Sequence, residues 1–221
     1  MIKPLARSVS IGNAINKGLQ LYKENFLLIF LASLVAGLIG AFSCGICLGP
    51  MQCGLIGICL TLLRGQEPKP QVGDVFNGFQ KFVPAFVTML VLGLGFFVIN
   101  LILGLIPIVG WLAALVISYF ISPAVSGWAM FLVQDQNATI GEAITTPFKM
   151  MGDGRFWMIM LIIFLAGLLG AVGLIACVIG VFFTMPFAMC MTAAAYQEAY
   201  DDDSDQADDA PAQEPVELPQ L

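Results

Sequence analysis

Three long stretches without a charged side chain dominate this sequence. They cover residues 26–63, 82–134 and 156–197, which are 38, 53 and 42 residues long. One membrane span needs about 20 apolar residues, so each stretch is long enough for two. Each stretch therefore predicts a pair of transmembrane helices joined by a turn. The chain as a whole predicts an all-α integral membrane protein with six transmembrane helices.

Glycine, serine and proline place the turns and bends of these helices. The turns are expected near residues 43–47, 104–110 and 173–180. Each second span also contains a proline, namely Pro50, Pro123 or Pro186. A proline inside a helix lacks the N–H that the helix needs and bends it. Bends at equivalent depths in three spans would indicate a repeated unit.

A five-residue pattern precedes each apolar stretch. It consists of a β-branched residue, glycine, a short acid or amide and two apolar residues, and the glycines are Gly12, Gly73 and Gly141. The spacings of 61 and 68 residues indicate a repeat. The apolar residues that follow are spaced as on an amphipathic surface helix. The sequence therefore predicts three repeats of a cytoplasmic amphipathic helix plus a transmembrane hairpin.

The polar residue of each motif copy has two interpretations. These residues are Asn13, Asp74 and Glu142. A polar side chain at a helix start accepts hydrogen bonds from free N–H groups, and a carboxylate there also complements the helix dipole. Ser10 and the pair Thr139 and Glu142 have the sequence pattern of such caps. Helix capping is the preferred interpretation, and a cytoplasmic metal cluster is the alternative.

The predicted domain organisation follows from these boundaries. Residues 1–9 form an N-terminal cytoplasmic segment, and residues 10–200 form the membrane domain. Its repeats lie at about 10–64, 71–134 and 139–200. Residues 201–221 are acidic and contain no lysine, arginine or aromatic residue. Such a segment cannot bury enough apolar surface to offset its ordering entropy, so we expect a disordered cytoplasmic tail.

The basic residues predict the orientation in the membrane. All nine lysines and arginines lie before the first apolar stretch or in the connections between stretches. The predicted turns inside the three helix pairs contain none. Basic residues stay on the cytoplasmic side. We therefore expect a multi-pass protein of the cell (inner or plasma) membrane, with both termini in the cytoplasm.

Several motifs resemble those of a known group of proteins. They are the repeated Ile/Val-Gly-Asp/Glu pattern, the Gly-Phe-Gln-Lys-Phe sequence at 78–82, and apolar hairpins with Gly-Pro or Met-Pro. Together they resemble a broad bacterial family of uncharacterised multi-pass membrane proteins. That family is similar to the membrane domain fused to some glycerophosphodiester phosphodiesterases. The resemblance covers about residues 10–200 and implies a membrane domain. The phosphodiesterase activity is not expected, because residues 1–221 show no such catalytic domain.

Composition excludes several classes of function. The chain has no histidine, which is the commonest general base and metal ligand. Ion and proton transporters keep an ionisable group at mid-membrane, and the apolar stretches contain none. No basic patch suits nucleic acid. We therefore predict no enzyme activity and no catalytic, cofactor-binding or metal site.

Three groups of residues are still candidate sites. Cys44 and Cys47 form a C-x-x-C pattern, which indicates a thiol redox site or small apolar residues in helix packing. Asn100 and Gln52 are the most polar side chains inside the apolar stretches, and they would form hydrogen bonds either with a neighbouring helix or with a ligand. The third group is a row of small residues with four-residue spacing. It would either line a polar path, to which a nearby proline exposes a backbone carbonyl, or allow close helix packing. That row is Gly110, Ala114, Ser118, Ser122 and Ser126, and the proline is Pro123.

Three functional hypotheses follow. The favoured one is a non-enzymatic scaffold, assembly factor or lipid-environment protein. Its partners would be the lipid bilayer and a protein that binds the acidic tail. The alternative is a transporter or permeation path for a lipidic or uncharged solute, and the third is a membrane thiol redox protein. The sequence leaves the oligomeric state open.

Overall fold

The structure is a computed structural model that describes the backbone of residues 9–152, 154–176 and 178–200. It describes side chains for residues 9–152, 156–169 and 183–200. All regular structure in the described residues is helical, so the predicted all-α class is confirmed. In chain order the helices are α1 (Ile11–Glu24), α2 (Phe26–Phe42), α3 (Leu48–Leu63), a 3₁₀ helix (Val72–Lys81), α4 (Phe82–Gly104), α5 (Val109–Val116), a π-helical segment (Ile117–Ile121), α6 (Ser122–Asp135), α7 (Ile140–Met150), α8 (Gly154–Ala176) and α9 (Val178–Tyr200).

Each predicted apolar stretch forms a pair of packed helices. Helix α2 packs against α3, α4 packs against α5 and α6, and α8 packs against α9. The first two turns lie where glycine and proline predict them, between α2 and α3 and between α4 and α5. The first is tight because Cys44 and Gly45 both have positive φ angles, of 51° and 88°. The third predicted turn includes residue 177, which lies outside the described residues.

The described helices include candidate membrane spans, but six spans are not confirmed. Val72–Gly104 and Val109–Asp135 are long and apolar enough to cross a bilayer, because each contains an 18-residue segment with a mean hydropathy of 2.5 or 1.7, respectively. Helices α1 and α2 meet at 92°, and they add a third candidate if the bent pair is one span. Helix α2 has 17 residues and α3 has 16. At 1.5 Å per residue these helices are about 24–26 Å long, which is shorter than a hydrocarbon core of about 30 Å.

The three prolines do not occupy equivalent positions. Pro50 lies in the first turn of α3, where a missing N–H removes no helical hydrogen bond, so the bend expected there is wrong. Pro186 lies inside α9. Pro123 is the second residue after the π-helical segment, at whose end the N–H of Ser122 donates to the carbonyl of Ile117, five residues earlier. The wider turn gives the proline ring room beside the preceding backbone.

The π-helical segment also breaks the predicted row of small residues. A four-residue spacing keeps side chains near one face only in a continuous α-helix. Here the wide turn lies between Val116 and Ser122. Ser118 is exposed, whereas Ser122 and Ser126 are half-buried. The serines therefore do not form one continuous face.

A helix begins at each copy of the repeated motif. Helix α1 packs on α9, and the face that carries Ala14, Gly18 and Leu21 is buried. A Cβ atom at Gly18 would lie 2.7 Å from the Cα atom of Met191. The 3₁₀ helix packs on α3, and α7 packs on α4 and α6.

The second motif copy forms a 3₁₀ helix because its side chains repeat every three residues. In a 3₁₀ helix, residues three apart lie above one another. Val75 and Gly78 are buried in one such row against α3. Phe76, Phe79 and Phe82 form another row, with ring centroids 6.3 and 6.0 Å apart.

Candidate functional site

A cavity of about 520 Å³ lies where the three helix pairs meet. Helices α2, α3, α4, α6, α8 and α9 all contribute to its lining. Among the described residues, the lining consists mainly of aliphatic side chains, methionine and glycine and includes no charged side chain. The cavity is thus suited to an apolar molecule.

Small and flexible residues keep this space open. Three lining glycines, Gly37, Gly127 and Gly167, would each place a Cβ atom with no other atom within 4 Å. Methionine side chains adapt to irregular volumes because they are unbranched and polarisable. Four of them line the cavity: Met51, Met89, Met185 and Met189.

Three of the described lining residues have polar side chains. The hydroxyl of Thr192 donates to the carbonyl of Ala188 at 2.9 Å and is satisfied within its own helix. Ser33 on α2 and Gln52 on α3 are half-buried. Within the described part of the chain, neither side chain forms a hydrogen bond. Their polar groups are thus available to a bound molecule.

Only one residue of the predicted polar path lines the cavity. Pro123 does so, whereas Ser118, Ser122 and Ser126 are not among the lining residues. The hydroxyl of Ser118 donates to Oδ1 of Asn100 at 3.0 Å, and Nδ2 of Asn100 donates to the carbonyl of Phe96 at 2.9 Å. The expected bond to a neighbouring helix therefore exists for Asn100.

The two predicted redox cysteines lie in the turn between α2 and α3. Cys44 is exposed and Cys47 is half-buried, and both are free thiols. The backbone N–H of Cys47 donates to Oγ of Ser43 at 3.0 Å. Neither cysteine lines the cavity. The thiol redox hypothesis stays a prediction.

Two of the three motif side chains cap their helices as expected. The backbone N–H of Gln71 donates to Oδ2 of Asp74 at 2.7 Å. The backbone N–H and the hydroxyl of Thr139 both donate to Oε2 of Glu142, at 3.1 and 2.8 Å. These hydrogen bonds stabilise the carboxylate and hold the pKa of Glu142 below its ordinary value.

Asn13, the third motif side chain, has a different role. Its Nδ2 atom donates to Oε1 of Glu198 on α9 at 3.1 Å, and the backbone N–H of Ser10 donates to the same oxygen at 3.3 Å. The expectation that Asn13 caps α1 is therefore wrong, because a carboxylate from α9 occupies that position. In the described residues, no group of three or more Cys, Asp and Glu could hold a metal ion. The alternative of a metal cluster at the motif residues thus has no geometric support there.

Sequence reasoning missed a polar cluster that joins the ends of α3, α6 and α9. Arg64 forms a bidentate ion pair with Asp135, with Nη1–Oδ1 and Nη2–Oδ2 distances of 2.5 and 3.1 Å. The hydroxyl of Tyr196 donates to Oδ2 of Asp135 at 3.2 Å, and Gln136 donates to that hydroxyl at 3.0 Å. Tyr196 stacks on Phe131, which lines the cavity, with ring centroids 4.8 Å apart. The cluster therefore supports one wall of the cavity.

Comparisons with protein-family models, with curated proteins and with solved structures found no match. The resemblance to the bacterial membrane family stays a prediction. The cavity is therefore the feature from which a function is proposed.

Proposed function

We propose that this protein binds an uncharged, lipid-like molecule in the cavity between its helix pairs. The cavity carries the proposal, because its volume falls within the range of roughly 300–1,000 Å³ that is typical of small-molecule sites. A charged ligand would lose its hydration without a compensating charge in the lining, which is costly. An uncharged apolar ligand would instead gain from leaving water and from contact with the methionines.

This proposal shares its class of ligand with the second hypothesis from the sequence, a transporter or permeation path for a lipidic or uncharged solute. A scaffold does not require a cavity of this size, whereas a protein that binds a small molecule does. Six helices contribute to the lining, and the lining residues of α6 and α9 include Pro123 and Pro186, respectively. The cavity therefore favours ligand binding over the scaffold hypothesis.

Filling the cavity from its own glycines tests the proposal. Gly127→Leu and Gly167→Leu would place side chains into open space, and glycine is the weaker helix former, so both variants should fold. Gly93→Leu is the matched control, because Gly93 also has no atom within 4 Å of a Cβ position and does not line the cavity. The probe is a long-chain alcohol that carries a photoreactive diazirine, presented to the protein in liposomes.

Saturable labelling of the cavity helices should fall at least tenfold in Gly127→Leu and Gly167→Leu. It should stay at the wild-type level in Gly93→Leu. Peptide mapping should place the wild-type label on lining residues such as Met51 and Met185. Equal saturable labelling of all four proteins would refute the proposal.

A further inference from the structure

Gln52 is an unpaired carboxamide in the lining of an apolar cavity. A carboxamide has two N–H donors and one carbonyl acceptor. Three other amides in or beside the apolar helices are paired, because Asn25 donates to Leu21, Asn100 to Phe96, and Gln197 to Leu63. The buried Oε1 atom of Gln134 on α6 also has no partner among the described residues, but Gln134 does not line the cavity. Gln52 forms no hydrogen bond within the described part of the chain. A polar group that is removed from water costs free energy unless it finds a partner.

Ser33 provides a second group in the same lining that has no hydrogen-bond partner among the described residues. It lies on α2, and Gln52 lies on α3, so the two belong to the helices of one pair. A serine hydroxyl both donates and accepts. The cavity thus combines a large apolar surface with two neutral hydrogen-bonding groups.

We infer that the ligand of this cavity is a neutral amphiphile whose hydroxyl or carbonyl group pairs with the carboxamide of Gln52. Ser33 provides a second, weaker contact, and the apolar part of the ligand fills the space lined by methionines. The inference rests on the proposed function and adds the chemical class of the ligand. A site built to hydrogen-bond a ligand rejects the analogue that lacks the group, because the site's own polar atoms then stay unpaired.

The test compares two photoreactive probes of equal length in liposomes. One is the long-chain diazirine alcohol, and the other has a methyl group in place of the hydroxyl. Labelling is corrected for the amount of each probe in the bilayer. Wild-type protein should prefer the alcohol about tenfold. Gln52→Leu should remove this preference and keep the labelling by the hydrocarbon, and Ser33→Ala should reduce the preference by less.

Asn100→Leu is the matched control. It removes an amide from an apolar helix, but Asn100 does not line the cavity, so the preference for the alcohol should persist. The unfolding midpoint of each variant checks that the fold is retained. If the alcohol preference is absent in wild type or survives in Gln52→Leu, the inference is overturned, although saturable labelling still supports a lipid-binding cavity. If neither probe labels the cavity saturably, the proposed function itself fails.

Discussion

Two glycines of the same short helix should respond in opposite ways to the same substitution. A Cβ atom at Gly78 in the 3₁₀ helix would overlap the carbonyl oxygen of Pro50 and would lie 2.6 Å from the amide nitrogen of Gly54. Both atoms belong to the backbone of α3, so no side-chain rotation can relieve the overlap. A Cβ atom at Gly73 would meet no atom within 4 Å. Gly78→Ala should therefore push two helices apart, whereas Gly73→Ala should cost nothing in packing.

The expected magnitudes follow from these contacts. Overpacking a closely packed contact costs roughly 1–3 kcal/mol, and backbone overlap places Gly78→Ala at the upper end. Replacing glycine by alanine in a helix gains roughly 0.5–1 kcal/mol. We expect Gly78→Ala to lose about 2 kcal/mol and Gly73→Ala to gain about 0.5 kcal/mol. The two variants should differ by about 2.5 kcal/mol, which is roughly seventyfold in the unfolding equilibrium.

Equilibrium unfolding in mixed detergent micelles measures this difference. The fluorescence of Trp128, which is fully buried, reports the loss of the core. Replacing the other two tryptophans by phenylalanine isolates its signal. Equal unfolding midpoints for Gly73→Ala and Gly78→Ala would show that the 3₁₀ helix does not pack on α3 as described.

Two further predictions concern polar contacts. The side chains of Arg64 and Asp135 are 24% and 17% exposed, so the ion pair is partly buried. Exposed ion pairs contribute roughly 0.2–1 kcal/mol, and breaking a buried pair costs roughly 3–5 kcal/mol. The cost of breaking this pair should lie between these two values. Arg64→Met should destabilise the protein by about 2 kcal/mol, and a double-mutant cycle with Asp135→Leu should show coupling; additive effects would contradict the ion pair. Because the folded pKa of Glu142 is lowered, its ionised form adds stability at neutral pH that is lost as pH falls through that folded pKa. Glu142→Gln should thus be less stable than wild type at pH 7, and this gap should close as pH falls through the folded pKa of Glu142; a stability gap that does not change with pH would refute this.

The sequence predicts the helices well where local signals decide them. Uncharged stretches that are longer than one span and are broken by glycine and proline predict the paired helices and the first two turns. The Thr139 and Glu142 cap was also readable, because both of its groups lie within one helical turn. The 3₁₀ helix was missed, although a three-residue period was present in Phe76, Phe79 and Phe82. That period distinguishes a 3₁₀ helix from an α-helix.

The number of candidate membrane spans was predicted less well, because composition does not set helix length. Residues 26–63 are apolar throughout, but the turn at 43–47 divides them into helices of 17 and 16 residues. The structure also joins elements that composition treats separately, because the 3₁₀ helix and α4 together form the candidate span Val72–Gly104. The predicted count of six assumes that each half of an apolar stretch forms a helix long enough to cross the membrane.

The cavity could not be predicted, because it depends on contacts between residues far apart in the chain. Gly54 and Gly127 both lie in apolar helices and look alike in sequence. A Cβ atom at Gly54 would overlap the carbonyl oxygen of Val75, whereas one at Gly127 would meet open space. The sequence likewise treats Asn100 and Gln52 as equivalent, and only the fold pairs one of them with Ser118. A polar residue in an apolar helix therefore becomes a candidate ligand contact only when the structure shows that its neighbours leave it unpaired.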